Sequence, residues 1–203
     1  FLFPFKNKQT PGSFTINEIN YVKKFTASVQ GSITQSELLG DALGGYANIA
    51  NLDGFKLAFE GFARGSDPSA RIDFVINPFL LRPAHMVKIL PTFIPGDGSS
   101  IQLSSKGTLE YKHHKIESQA SIMMEEGNLF FPDMNLSLKG IAGHVDFNDL
   151  LVPESIPGQV LTVDNIQINQ FEVDNARARF SIEDGKSVNI ENLRFNWCNG
   201  LVS

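Results

Sequence analysis

Four histidines, a single cysteine and a few paired charges are the side chains of this 203-residue chain that could do chemistry. His113 and His114 are adjacent on an expected strand, where successive side chains point to opposite faces, so the pair cannot share one metal ion. His85 and His144 have no partner at ligand spacing. Glu125-Glu126 reads as a solvated acidic pair at a strand end rather than an acid/base couple. Gly61-Phe62-Ala63-Arg64-Gly65 has the glycines of a phosphate loop but no helix after it. The sequence holds no nucleophile elbow, P-loop or dinucleotide fingerprint. The expectation is a chain with no catalytic residues, no metal ligands and no cofactor, and hence not an enzyme. Arg177 and Arg179 keep one other chemistry open, since they share a strand face and could clamp a carboxylate or phosphate, offset by Glu172 and Glu183. Cys198 excludes an internal disulfide and reads as a free structural thiol on the polar register of its strand.

Composition narrows the partners. A net charge of −5 and a pI near 5.4 argue against nucleic acid, which calls for a basic patch. No Lys/Arg cluster offers a polybasic membrane anchor, and no apolar run approaches the ~20 residues of a transmembrane helix. Phe1-Leu2-Phe3-Pro4-Phe5 lacks the basic leader and cleavage site of a signal peptide. The chain has no initiator Met and stops at Leu201-Val202-Ser203, just past an Asn-Gly turn, so it is expected to be a fragment of a longer protein whose targeting signals lie elsewhere. Phe is abundant, at 17 residues against 3 Tyr and 1 Trp. It has no polar handle and suits a surface that stays fully apolar.

The elements that would position these groups are strands. Asp164-Asn165, Asp174-Asn175 and Asp184-Gly185 fall ten residues apart and read as turns between short alternating runs. Ala176, Ala178, Phe180 and Ile182 would face one way, and Arg177, Arg179, Ser181 and Glu183 the other. Val188 and Ile190 repeat the pattern in the next strand, followed by Leu193, Phe195 and Trp197. The first half has the same grammar in Phe14 and Ile16, in Phe55, Leu57 and Phe59, and in Ile72, Phe74 and Ile76. Gly96-Asp97-Gly98, Gly127-Asn128 and Asn148-Asp149 read as further turns. Two stretches look helical: residues 36–50, with Ser36 as N-cap and Leu39, Leu43, Tyr46 and Ala50 on one side, and Pro83 to Leu90. Gly40, Gly44 and Gly45 weaken the first, at roughly 1 kcal/mol each. Pro91 to Pro95 reads as a connector. The expected layout is a β-rich part over 1–95 and an antiparallel meander over 96–203, together forming one continuous sheet.

The last third also carries motifs. Gly140-Ile141-Ala142-Gly143-His144-Val145-Asp146-Phe147, Ile156-Pro157-Gly158-Gln159-Val160-Leu161-Thr162-Val163 and Ser187-Val188-Asn189-Ile190-Glu191 with Phe195-Asn196-Trp197-Cys198-Asn199-Gly200 resemble three elements of one family. This is the YdbH-like "dicarboxylate transport" domain of the AsmA-like envelope proteins, a group that includes TamB. Ile156 stands where that family usually has a second Pro, and Asn199-Gly200 replaces Gly-Gly. The resemblance implies a long antiparallel sheet folded lengthwise into an apolar groove, a β-taco. It also implies a non-enzymatic role in carrying phospholipid acyl chains between inner and outer membranes. The place would be the periplasm of a diderm bacterium, with an inner-membrane anchor outside this chain.

If the apolar face is such a groove, its lining comes from Ile166, Ile168, Phe171, Val173, Ala178, Phe180, Ile190, Phe195 and Trp197. Alternation alone leaves a closed β-sandwich as the alternative fold, because both need the same pattern. It leaves two alternative functions, a dicarboxylate carrier using Arg177 and Arg179, and a structural scaffold of the cell envelope.

Overall fold

The computed structural model describes residues 11–21, 25–36, 40–50, 52, 54–64, 69–89, 95–185, 187–198 and 200–203. The strands are β1 (Gly12–Tyr21), β2 (Phe25–Ser36), β3 (Gly40–Ile49), β4 (Leu57–Arg64), β5 (Ser69–Leu81), β6 (Ser100–Lys112), β7 (Lys115–Phe131), β8 (Leu136–Asp149), β9 (Glu154–Ser155), β10 (Gln159–Ile168), β11 (Phe171–Glu183), β12 (Ser187–Trp197) and β13 (Gly200–Val202). They form a single open antiparallel sheet of 13 strands in sequence order, with the short β9 paired to β8 beside β10. The protein is thus mainly β, and the closed sandwich is not what forms. Helix α1 (Pro83–Ile89) occupies the second stretch expected to be helical.

The first expected helix is a correction. Residues 40–49 are strand β3, paired with β2 and β4, and Gly45 serves sheet packing instead of weakening a helix. Glu37 and Leu39 of that expected helix lie outside the described residues, as do Phe1 to Phe5, Gly65, Leu90, most of the expected connector and Asn199.

The chain divides into two units. The first holds residues 1–51, 55–77 and 106–118, and the second 52–54, 78–105 and 119–203. In the first unit three cross-strand rows share one face. Phe14, Gly31, Gly45, Phe59 and Phe74 make the central row, and Ile16, Val29, Ala47, Leu57 and Ile76 another. Ile33, Leu43, Gly61 and Ile72 make the third. The two glycines of the central row leave space that aromatic rings take: a Cβ on Gly31 would meet the Phe14 ring at 2.6 Å, and one on Gly45 the Phe59 ring at 2.9 Å. An aromatic laid over a strand glycine restores the apolar contact that the missing side chain gives up. On the other face Arg71 reaches Asp73 twice from Nε, at 3.2 and 3.1 Å, and once from Nη2 at 2.9 Å, while Thr108 Oγ1 donates to Asp73 at 2.9 Å.

In the second unit five neighbouring strands share one irregularity. Along each, the apolar register advances by three residues once instead of by two: Met124 to Gly127, Leu138 to Ile141, Val163 to Ile166, Val173 to Ala176 and Ile190 to Leu193. Each step accommodates one inserted residue, and Glu126, Gly140 and Asn175 sit there with φ of 50°, 66° and 51°. Such bulges bend and twist a strand locally. Beside them lie Ile101, Ile141, Val163 and Ala176, all at most 8% exposed. The buried apolar side chains of the described residues all belong to this unit, among them Leu52, Leu81 just before α1, Met86 on α1, and Ala120 and Val145 on β7 and β8.

The bulges correct three expected turns. Asp164-Asn165, Asp174-Asn175 and Gly127-Asn128 lie inside strands, where the residues that tolerate a left-handed turn equally suit a bulge. The connection between β10 and β11 is instead Asn169-Gln170. Asp184-Gly185 does turn, as does Asp97-Gly98, and Asn148-Asp149 closes β8 with Asp149 Oδ1 accepting from the Leu151 N–H at 2.8 Å. Glu125-Glu126 is likewise mid-strand. Val188 to Trp197 is one strand, with its bulge beside Glu191.

Two outcomes follow. A Cβ at Gly45 would collide with the Gln30 carbonyl oxygen, whereas one at Gly44 meets only ordinary contact at 3.7 Å. Gly45→Ala should therefore lower the urea midpoint by an amount equivalent to about 1–3 kcal/mol, with Gly44→Ala close to neutral. The hydrogen bonds from Arg71, and then from Thr108, hold the Asp73 carboxyl below the usual carboxylate range. A depressed carboxylate contributes stability above its unfolded pKa and loses it as pH falls through the folded one. The stability deficit of Asp73→Asn, measured by denaturant titration, should thus be present at neutral pH and vanish in acid. The deficit should be small, because the group is exposed.

Candidate functional site

The nine residues expected to line a groove share one face. Ile166 stands opposite Val173, Ile168 opposite Phe171 and Phe180 opposite Ile190, and the bulges carry this face on to Ala178, Phe195 and Trp197. Cross-strand partners project to the same side of a sheet, and a three-residue step at a bulge restores the side that simple alternation would lose. None of the nine is buried; Ile190 is 60% exposed, Phe171 55%, Trp197 47% and Ile168 46%. The face also includes Leu136, Leu138, Leu161, Val188, Leu193 and Val202. The sequence reading had Val188 and Leu193 on the apolar register without naming them as lining, and reading Asp164-Asn165 and Asp174-Asn175 as turns obscured the continuity of the face. A three-residue step inside an alternating run was the signal available.

The other side of β11 and β12 is wet. Arg177 and Arg179 project there, as expected, and the register adds Arg194 directly opposite Arg177. Arg179 lies 4.0 Å from Glu191 through Nε. Cys198 is not on a strand register but in the turn after β12, exposed, with φ of 50°. Asp164, Asp174, Asn175, Asn196 and Cys198 border an open polar pocket of about 550 Å³.

The histidines separate. His113 and His114 form the two-residue turn between β6 and β7, with φ of 51° and 61°, rather than lying on a strand. Tyr111 Oη stands 3.2 Å from His114 Nδ1. His144 is not isolated, for its Nε2 lies 3.0 Å from Asp146 Oδ1, and the same carboxylate accepts from the Ser121 hydroxyl. Ser121 donates to the acid and not to the imidazole, so the trio lacks the order of a nucleophile and its base.

The motif residues have structural work to do. Gln159 is 7% exposed; its Oε1 accepts from the Asp146 N–H at 2.9 Å and its Nε2 donates to the Ile156 carbonyl at 2.7 Å. Gly158 takes φ of 78°, and its N–H donates to Glu191 Oε1 at 2.8 Å. A Cβ at Gly158 would meet the Arg179 guanidinium at 2.9 Å. Ser155 Oγ accepts from the Ile182 N–H at 2.8 Å. Pro157-Gly158-Gln159 and Glu191, distant in sequence, thus meet around one connection, which pins β9 and β10 between β8 and β11.

Compared with known proteins, the chain matches no protein-family model, no curated protein and no solved structure. Its functional reading therefore rests on the residues and their geometry.

Removing the Gln159 amide strands the Asp146 N–H and the Ile156 carbonyl together. A buried polar group left unpaired costs about 1–3 kcal/mol, so Gln159→Ala should lower the urea midpoint at unchanged slope. A neutral result would mean that water replaces the amide.

Proposed function

We propose that this chain is a segment of a non-enzymatic lipid-transport protein of the cell envelope, which shields phospholipid acyl chains against its apolar sheet face. One observation carries the reading: an apolar face running from β8 to β12 on which Ile168, Phe171, Val188, Ile190, Leu193 and Trp197 stay 45–61% exposed, although Ile141, Val163 and Ala176 of the same face are buried. Soluble monomers seldom leave contiguous apolar surface of this kind without an occupant. An acyl chain suits it, because each methylene laid against the face gains about 0.8 kcal/mol through contact with no directional demand. Sixteen or so methylenes along a row of Ile and Phe need no polar pocket, and the face offers none. The motif resemblance points the same way and supplies the setting, a periplasmic bridge between the two membranes of a diderm bacterium. Contact with those membranes and the inner-membrane anchor belong to other parts of such a protein. Among the described residues no helix is long and apolar enough to cross a membrane.

The dicarboxylate reading needs a compact cluster of donors. Arg177 and Arg179 lie on the opposite face, and Glu191 already answers Arg179, which favours the lipid reading. An envelope scaffold would need its apolar face closed by other protein.

The readings predict opposite sensitivities. The purified chain, incubated with phospholipid vesicles and then separated from them, should carry phospholipid detectable by native mass spectrometry. Ile190→Asp and Phe180→Asp should abolish uptake; Ile190 is exposed enough that its replacement leaves the fold intact. Replacing Arg177 and Arg179 with Gln should leave uptake nearly unchanged. Equal uptake by the Asp variants, or photo-crosslinks from Phe180 and Phe195 to protein alone, would overturn the lipid reading. Succinate binding lost in the arginine variant would establish the carrier instead.

A further inference from the structure

On the wet face of β11 and β12 the cross-strand ladder reads Asp174 opposite Asn196, Arg177 opposite Arg194, and Arg179 opposite Asn192. Like charges directly opposite each other on antiparallel strands are destabilising. Of the neighbouring charges, Glu191 lies by Arg179, while Asp174, one pair along across the bulge, accepts from the neutral Asn165 Nδ2 at 2.9 Å and keeps its charge. Arg177 and Arg194 are both exposed, and among the described residues neither has a carboxylate in ion-pair contact. Asn192 and Asn196 lie two residues to either side of Arg194 on the same face, half-buried, and can add amide donors.

We infer that the Arg177–Arg194 pair, flanked by Asn192 and Asn196, is a binding site for a phosphate-type oxyanion. Two arginines rooted at directly opposed backbone positions can bring two guanidinium forks onto one phosphate and present two positive charges to a group that carries up to two negative ones. The bound anion turns the repulsion between the arginines into two attractions. The chain as a whole carries −5, so the attraction is local to the pair and not a general affinity for anions. The backbone of the sheet separates the pair from the apolar face, so a phospholipid lying on that face cannot place its phosphate here. The site therefore stands apart from the acyl-chain reading and survives its failure. Free phosphate and the headgroup of a lipid in a membrane surface share the required chemistry.

The test titrates inorganic phosphate into the whole chain at fixed ionic strength, with chloride as the control, reading the melting temperature and the backbone amide resonances of residues 177 and 194. Phosphate should raise the melting temperature and shift those resonances, where chloride does neither. Arg194→Gln and Arg177→Gln should each weaken phosphate binding about tenfold or more, the loss expected for one charge-assisted partner. Arg194→Lys, which keeps the charge and loses the fork, should fall between. In chloride alone Arg194→Gln should melt higher than the parent, because the opposed charges are gone. Flotation with phosphatidylcholine vesicles containing phosphatidic acid, lost in Arg194→Gln, would assign the anion to a headgroup. Phosphate binding without flotation would assign a free anion. Equal effects of phosphate and chloride, or undiminished phosphate binding by folded Arg194→Gln, would overturn the proposal.

Discussion

Side chains on a strand alternate strictly, so one inserted residue sends everything beyond it to the opposite face unless the apolar pattern shifts by one at the same place. Most of the second unit answers to that constraint. Five adjacent strands each take one insertion, and in each the sequence advances its apolar residues by three at that point. Where the insertions lie opposite each other, as Asp164 and Asn175 do, the ladder keeps its register. Where β12 takes its own further along, the register slips, and the displaced residue is Glu191, whose carboxylate then holds the connection into β10. A motif that looks functional in sequence is thus a consequence of sheet geometry.

The first unit solves a related problem with composition. It pairs glycine with phenylalanine across strands, so that a ring covers what a missing Cβ leaves open. Burial there is shallow, and the described apolar side chains stay partly exposed, whereas the second unit collects Ile101, Ile141, Val163 and Ala176 along its bulges. Phe14 with Gly31 and Phe59 with Gly45 are therefore two instances of one device. Read separately, the glycines looked like a poor helix.

This explains what was legible in the sequence. Strand alternation, the antiparallel meander and helix α1 were readable, because period-two patterning and a proline at a helix start act locally. The bulges were not, because Asp and Asn mark any backbone that visits the left-handed region, whether it reverses the chain or bends a strand. Only pairing decides, and pairing is non-local. His113-His114 failed for the converse reason: a two-residue turn can form from residues with no strong turn preference when the strands either side fix it. The wet-face arginines were placed correctly. Arg194 as their partner was invisible, since cross-strand neighbours follow from register and not from spacing.

The two faces constrain function jointly. The apolar face offers length and continuity but no donors; the wet face offers charge and amides but no apolar shelter. A ligand needing both at once, such as a compact amphiphile gripped by head and tail, cannot be satisfied across the thickness of a single sheet. A ligand wanting one alone can. The apolar face suits a chain that slides along it, since contact there is non-directional and nearly uniform from one cross-strand row to the next. A lipid held there, as proposed, would be gripped through its apolar length and not through its headgroup. On this reading selectivity comes from the wet face or from whatever flanks this sheet, and the opposed arginines are the place on the wet face where we infer discrimination between anions.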